Sequence, residues 1–184
     1  DYDTEALAKV KEEAKATVSS YAKAEDYRDA EKAALETLVT KANTEIDAAT
    51  TSAVVEGVVT TFKAAVDQLK TDAQYKAEEL AAAKELAKTE INNYLSLSAF
   101  RSEEQETLTA LINEYLGKVD AATEVADITP LVSEYKTKAS AIKTAAQYEV
   151  EELAAAKTTA LETIASLVNK SDYREAEQKA IDEL

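Results

Sequence analysis

Leu69 to Tyr94 reads LKTDAQYKAEELAAAKELAKTEINNY, and how this stretch is read decides the fold. Its apolar residues fall at Leu69, Ala73, Ala77, Leu80, Ala83, Ala87, Ile91 and Tyr94. The steps are 4, 4, 3, 3, 4, 4 and 3, the spacing of one face of an α-helix. A second version, IKTAAQYEVEELAAAKTTALETIASL, occupies Ile142 to Leu167 with the same steps, 73 residues further on. That offset also carries Leu7 to Leu80 to Leu153, and Tyr27-Arg28 to Phe100-Arg101 to Tyr173-Arg174. The chain is therefore a tandem repeat.

The period divides the 184 residues into repeat 1 (1–79), repeat 2 (80–152) and a partial repeat 3 (153–184). Residues 7–79 and 80–152 align without a gap, with about a third of positions identical. A unit this small buries only ~60% of its unfolded surface and gains from its neighbours.

Two Gly and one Pro among abundant Ala, Glu, Lys and Leu make a helical composition. Each unit reads as three amphipathic helices. Leu7, Val10, Ala14, Val18 and Tyr21 line the first. Leu35, Leu38, Ala42, Ile46 and Ala49 line the second, matched by Leu108, Leu111, Tyr115, Val119 and Ala122. Val55, Val58, Phe62, Val66 and Leu69 line the third, matched by Ile128, Leu131, Tyr135, Ala139 and Ile142. Asp26, Ser98 and Asp172 are the expected caps of the second helices, Asp172 with Glu175 in a box-like spacing. Pro130 belongs in a first turn, which predicts a regular helix from near Thr129 with Asp127 or Thr129 as cap. Gly57 falls near a helix start. Gly117 falls mid-helix, where it marks either a close helix contact or a bend. Strand readings fail, because SAVVEGVVTTF steps its apolar residues by three and four and its counterpart carries Pro130.

The expected fold is all-α: a spectrin-like array of up-down-up three-helix bundles. The unbroken stripe and the lack of Gly or Pro at either junction predict adjacent bundles joined by continuous helices. Against this, Thr71-Asp-Ala-Gln74 and Thr144-Ala-Ala-Gln147 match a capping box, which would start a fresh helix. Repeat 3 lacks its third helix, so Leu161, Ile164, Ile181 and Leu184 should lose cover, with the hairpin leaning on repeat 2 or pairing with another molecule.

A net charge of −15 repels phosphate backbones and anionic membranes, so neither nucleic acid nor a membrane surface is an expected partner. No apolar run approaches the ~18 residues of a membrane span. The absence of Cys and His removes disulfides, thiolate and imidazole metal sites, and a Ser-His-Asp triad. No cofactor, metal or catalytic site is expected, and the chain reads as a non-enzyme. With no Met and an end inside a repeat, it is expected to be a piece of a longer array.

Three recurring features are candidate sites. Glu78-Glu79 and Glu151-Glu152 could ligate a cation, but neighbours on a helix diverge by about 100°, and a solvated face is the simpler reading. Tyr75 and Tyr148, with Tyr2 at the matching place, could form a binding surface or cover the bundle end with the hydroxyl in water. At Tyr27-Arg28, Phe100-Arg101 and Tyr173-Arg174 the aromatic should anchor a turn and the Arg pair with carboxylates. Val54 and Val59 lie at the edge of their stripe.

Within the first unit, DYRDAEKAALETLVTKA followed by IDAATTSAVVEGVVTTFKAAVDQLKT resembles the FIVAR-type three-helix modules of bacterial, particularly Gram-positive, secreted and surface proteins. Tyr27, Leu35, Ala42, Ala49-Thr50, Val55, Phe62, Val66 and Leu69 carry the likeness. It extends over both whole units and half of the third, and Pro130 and Gly117 depart from its pattern. The resemblance implies an extracellular, wall-attached or secreted stalk whose partners are adjacent repeats. The resemblance brings no catalytic residues. A second reading, apart from the resemblance, is an adhesin-type module that grips a host protein or glycan through an exposed face of two helices.

Overall fold

Helix α1 (Tyr2–Ser20) is built on the first predicted stripe, and Ala14 and Val18 are buried along it. The computed structural model describes residues 2–167 and 169–183, with side chains from Thr4 onward, and is helical throughout. The further helices are α2 (Asp29–Ala48), α3 (Ser52–Val66), α4 (Asp72–Asn93), α5 (Ser102–Ala121), α6 (Val125–Ser140), α7 (Ala145–Leu167) and α8 (Glu175–Asp182). No strand occurs among the described residues.

The chain divides into two units, Asp1–Ala82 and Ala83–Leu184. In the first, α1, α2 and α3 share one core of Ala14, Val18, Tyr27, Leu35, Ala42, Ile46, Ala49, Val55, Phe62 and Val66. Long-range bonds fix the helix directions. The Tyr21 hydroxyl, just past the end of α1, donates to Asp67 at the end of α3 (2.8 Å), so α1 and α3 run the same way. Lys11 of α1 donates to the Asp47 carbonyl near the end of α2 (2.9 Å), with Lys15 on the Asp47 carboxylate. That contact, with the short α1–α2 connection, makes α2 antiparallel. The second unit repeats these bonds through Tyr94 to Ser140 and Lys84 to the Asp120 carbonyl. Its core holds Ala87 and Ile91 of α4 with Phe100, Leu108, Tyr115, Val119, Ile128, Val132, Tyr135 and Ala139.

The continuous helix expected across each junction is absent. α3 stops at Val66 and α4 begins at Asp72, while α6 stops at Ser140 and α7 begins at Ala145. The capping-box residues make the break. The Thr71 N–H donates to the Gln74 side-chain oxygen (2.8 Å), and the Gln74 N–H donates back to Thr71 Oγ1 (3.2 Å). Thr144 and Gln147 repeat the pair at 2.7 and 3.3 Å. Two orphan amides are satisfied reciprocally, as a fresh helix start requires. The alanines that kept the stripe in phase, Ala73 and Ala77, are exposed, so apolar burial does not oppose the break.

Other helix starts also differ from expectation. Asp26, Ser98 and Asp172 do not cap. They lie in short 3₁₀ turns, Ala24–Asp26, Leu97–Ala99 and Lys170–Asp172, and the cap positions are Arg28, Arg101 and Arg174. Tyr27 and Phe100 turn into the core in extended backbone, so regular helix begins only after them. At α8 the box-like contact runs from the Arg174 N–H to Glu177 (2.9 Å), not from Asp172 to Glu175. α6 starts at Val125 behind cap Glu124, which places Pro130 inside the helix, in its second turn. The bond lost there belongs to the Ala126 carbonyl; both residues are exposed, and water replaces it at little cost. On α6, Val132 is buried while Leu131 is only half-buried.

A Cβ on Gly117 would meet nothing within 4 Å, so this glycine does not mark a close helix approach. Gly117→Ala is expected to raise the stability of the second unit by about 0.5–1 kcal/mol through backbone entropy alone. Urea denaturation checks it, and an unchanged or lower midpoint contradicts it.

Candidate functional site

Arg28 stands at the cap position of α2 with a half-buried side chain. Its guanidinium reaches the start of α4 with three bonds. Nε donates to Asp72 Oδ1 (2.9 Å), Nη1 to Glu79 Oε1 (2.7 Å) and Nη2 to Glu79 Oε2 (3.1 Å). The planar fork suits this bidentate geometry. Between the two helices lies Tyr75, its ring under the Arg28 guanidinium (4.4 Å) and under Lys70 Nζ (4.2 Å). Two cations on one ring give paired cation–π contacts. The Tyr75 hydroxyl donates to Glu31 of α2 (2.7 Å), and Lys70 pairs with Glu78. Beside the Thr71–Gln74 box, these contacts tie the first turns of α4 to the start of α2.

The arrangement recurs 73 residues on. Arg101 Nη1 donates to Glu152 (2.7 Å) and covers the Tyr148 ring (4.3 Å), with Lys143 over the same ring (4.3 Å). The Tyr148 hydroxyl donates to Glu104 (2.5 Å), and Lys143 pairs with Glu151. One member is missing, because Ala145 stands where Asp72 stands in the first elbow.

The charges respond as this geometry requires. Hydrogen bonds from Arg28 hold the Glu79 carboxyl below its ordinary value, and Arg101 does the same for Glu152. Asp72 is lowered by its bonds to Lys76 and then Arg28. The Arg28 guanidinium is raised by Glu79 and Asp72. Donation to Glu31 raises the Tyr75 phenol, and donation to Glu104 raises that of Tyr148.

The candidate residues thus converge, although not as the simplest readings had them. Glu78-Glu79 and Glu151-Glu152 are exposed, yet each carboxylate is engaged by a cation. Tyr75 and Tyr148 are half-buried and bonded to glutamates instead of reaching open water. Tyr27 and Phe100 anchor their turns in the core; Tyr173 is 48% exposed. The Tyr2 side chain and Leu184 lie outside the described residues. Among the described residues no group of three acidic side chains converges to hold a metal ion, and no helix is long and apolar enough to cross a membrane.

The third repeat is open. α7 has no buried residue; Leu153, Leu161, Ile164 and Leu167 are exposed, and Ile181 of α8 is half-buried. The 3₁₀ turn before α8 is tied to it by the Lys170–Asp182 pair and by Gln178, which donates to the Lys170 carbonyl (2.7 Å).

One exposed apolar feature was not marked by periodicity. Leu86, 73% exposed, and Val125, 44% exposed, face a groove between α4 and α6 also lined by Ala83 and Val132. The first unit has Glu13 and Ser52 at those two places, and that polar-to-apolar exchange between repeats is the signal that finds them. Val54 is exposed and Val59 half-buried. Compared with protein-family models, curated proteins and solved structures, the chain matches none.

Proposed function

We propose that this chain is a non-catalytic spacer, a FIVAR-like helical stalk segment of a bacterial surface or secreted protein that holds another domain away from the cell wall. The observation that carries the reading is the duplication of the elbow's Arg–Glu and Tyr–Glu bonds at a 73-residue offset. A binding site needs to be built once, whereas a part whose task is extension is built in every unit. The −15 charge agrees with a solvated element that stays clear of anionic surfaces.

The test is length. Inserting further in-frame copies of residues 80–152 should lengthen the particle by roughly 30–40 Å per copy, about the length of one helix of 20–25 residues. Small-angle scattering measures this directly. A maximum dimension that grows as the cube root of mass overturns the spacer reading.

A second reading, adhesin-type recognition of a host protein or glycan, draws on the α4–α6 groove. Leu86 and Val125 are exposed in one unit only, as a dedicated contact would be. It requires that Leu86→Glu, which restores the residue type at position 13, abolish binding to a host protein or glycan found by panel screening.

A further inference from the structure

We propose that the α3–α4 elbow is an electrostatic latch and the α6–α7 elbow a weaker copy of it, so that salt or acid loosens the second before the first. The inference concerns each elbow by itself and holds whether or not the chain serves as a spacer.

The two elbows share the capping box, the Tyr between two cations and the Arg–Glu pair. They differ at two charged positions, where Ala145 replaces Asp72 and Glu149 replaces Lys76. Arg28 spends Nε on Asp72 and both terminal nitrogens on Glu79, so its plane is fixed by two carboxylates. Arg101 has one bond, from Nη1 to Glu152, and Ala145 offers its Nε no acceptor. Asp72 also holds Lys76 (2.8 Å), which ties the network into the next turn of α4.

The charged groups facing these carboxylates come from every neighbouring segment. In the first elbow Arg28 and Glu31 approach from α2, Lys70 from the connection, and Asp72, Lys76 and Glu78 from α4. In the second, Arg101, Glu103 and Glu104 approach from α5 and Lys143 from the connection. The sign of the pH effect follows. Glu79, Asp72 and Glu152 are lowered in the folded chain. Their contribution is complete above the ordinary carboxylate range and disappears as pH falls through the lowered values. Tyr75 and Tyr148 are raised, so their contribution is complete below the ordinary phenol value and disappears as pH rises through the raised one. The latch is closed between these limits. Its carboxylates Glu79 and Glu152 are exposed and its Arg28, Asp72 and Arg101 half-buried, so 1 M salt, with a Debye length of about 3 Å, weakens it.

Amide hydrogen exchange on the full chain tests the proposal, read over residues 75–80 and 148–153, with Leu35 and Ala42 amides as an internal reference. Because α4 continues into a buried stretch and α7 does not, each elbow is compared with its own variants. Asp72→Ala should speed exchange over 75–80 by about two- to fivefold, the range of an exposed ion pair. Ala145→Asp should slow exchange over 148–153 by a smaller factor, because Glu149 stands where Lys76 supports Asp72. Both effects should shrink in the Arg28→Gln and Arg101→Gln backgrounds, respectively, leaving at 72 only the part that Lys76 carries, and both should shrink in 1 M salt. An aspartate acting only on the helix dipole keeps its effect without the arginine; that result, or no response to Ala145→Asp, overturns the latch.

Discussion

Ile91→Ala is expected to destabilise the second unit by about 2–5 kcal/mol, while Ile164→Ala should change stability by no more than about 0.5 kcal/mol. The two residues occupy the same place in consecutive repeats, 73 residues apart, and sit on the same apolar stripe. Their surroundings differ completely. Ile91 is 0% exposed within the core that α4 shares with α5 and α6, whereas Ile164 is 61% exposed on α7. Truncating Ile91 removes buried methyl groups and leaves a cavity, because close-packed neighbours relax only in part. Truncating Ile164 removes atoms that already face water. Exchange protection of the Leu108 and Tyr135 amides, with urea denaturation of the whole chain, reads the loss in the second unit specifically. Equal effects at the two sites would show that the α7 stripe is covered in solution. Val18, the third member of the series, is 1% exposed in the first unit and belongs with Ile91.

That contrast marks what the sequence could convey. Periodicity identifies which residues share a helix face, and the buried positions of α1, α2, α3, α5 and the second half of α4 all lie on the expected stripes. Periodicity does not report burial. Ala73 and Ala77 keep a stripe in phase while facing water, and alanine has too little surface to be driven inward. The stripe therefore argued for a fused helix where the local hydroxyl–amide chemistry of Thr71 and Gln74 makes a start. Four residues of capping chemistry outweigh a stripe of alanines.

The elbow partners were hidden for a different reason. Arg28 and Glu79 lie 51 residues apart, and Glu31 and Tyr75 lie 44 apart, so no local pattern joins them. Comparison of the repeats contains the clue. Lys11, Lys15, Tyr21, Arg28, Glu31, Asp47, Lys63, Lys70, Gln74, Tyr75, Glu78 and Glu79 are identical at the 73-residue offset. Each of them makes a contact that ties helices together or closes an elbow. Most polar positions that are identical between the otherwise divergent repeats are therefore bonding positions. Leu86 and Val125 obey the converse, since they are apolar in one unit and polar in the other and belong to no shared core.

Tyr135→Phe is expected to stabilise the second unit by about 1–2 kcal/mol. Tyr115 and Tyr135 are both 0% exposed, and neither hydroxyl has a hydrogen-bond partner among the described residues. The first unit fills the same places with Ala42 and Phe62, so its core carries neither phenol. Burial pushes the Tyr135 phenol up and keeps it neutral, so the cost there is that of a desolvated hydroxyl and not of a charge. Phenylalanine keeps the ring with its edge contact to Tyr94 (6.0 Å) and its tilted contact to Tyr115 (5.8 Å), and removes only the unpaired group. Tyr115→Phe should gain less. Lys118 and Lys138 lie against the Tyr115 ring (4.2 and 5.3 Å). Glu134, lowered chiefly by Lys138, and Lys138, raised chiefly by Glu134, both also respond to the Tyr115 hydroxyl, so that hydroxyl is partly compensated. The reverse exchange, Phe62→Tyr, should cost the first unit about 1–3 kcal/mol by burying an oxygen where none is now present. Thermal denaturation of the three variants checks the order. A loss of stability in Tyr135→Phe would mean that a bound water satisfies its hydroxyl, and Phe62→Tyr would then be the more informative of the pair, because Ala42 stands in the first unit where Tyr115 stands in the second.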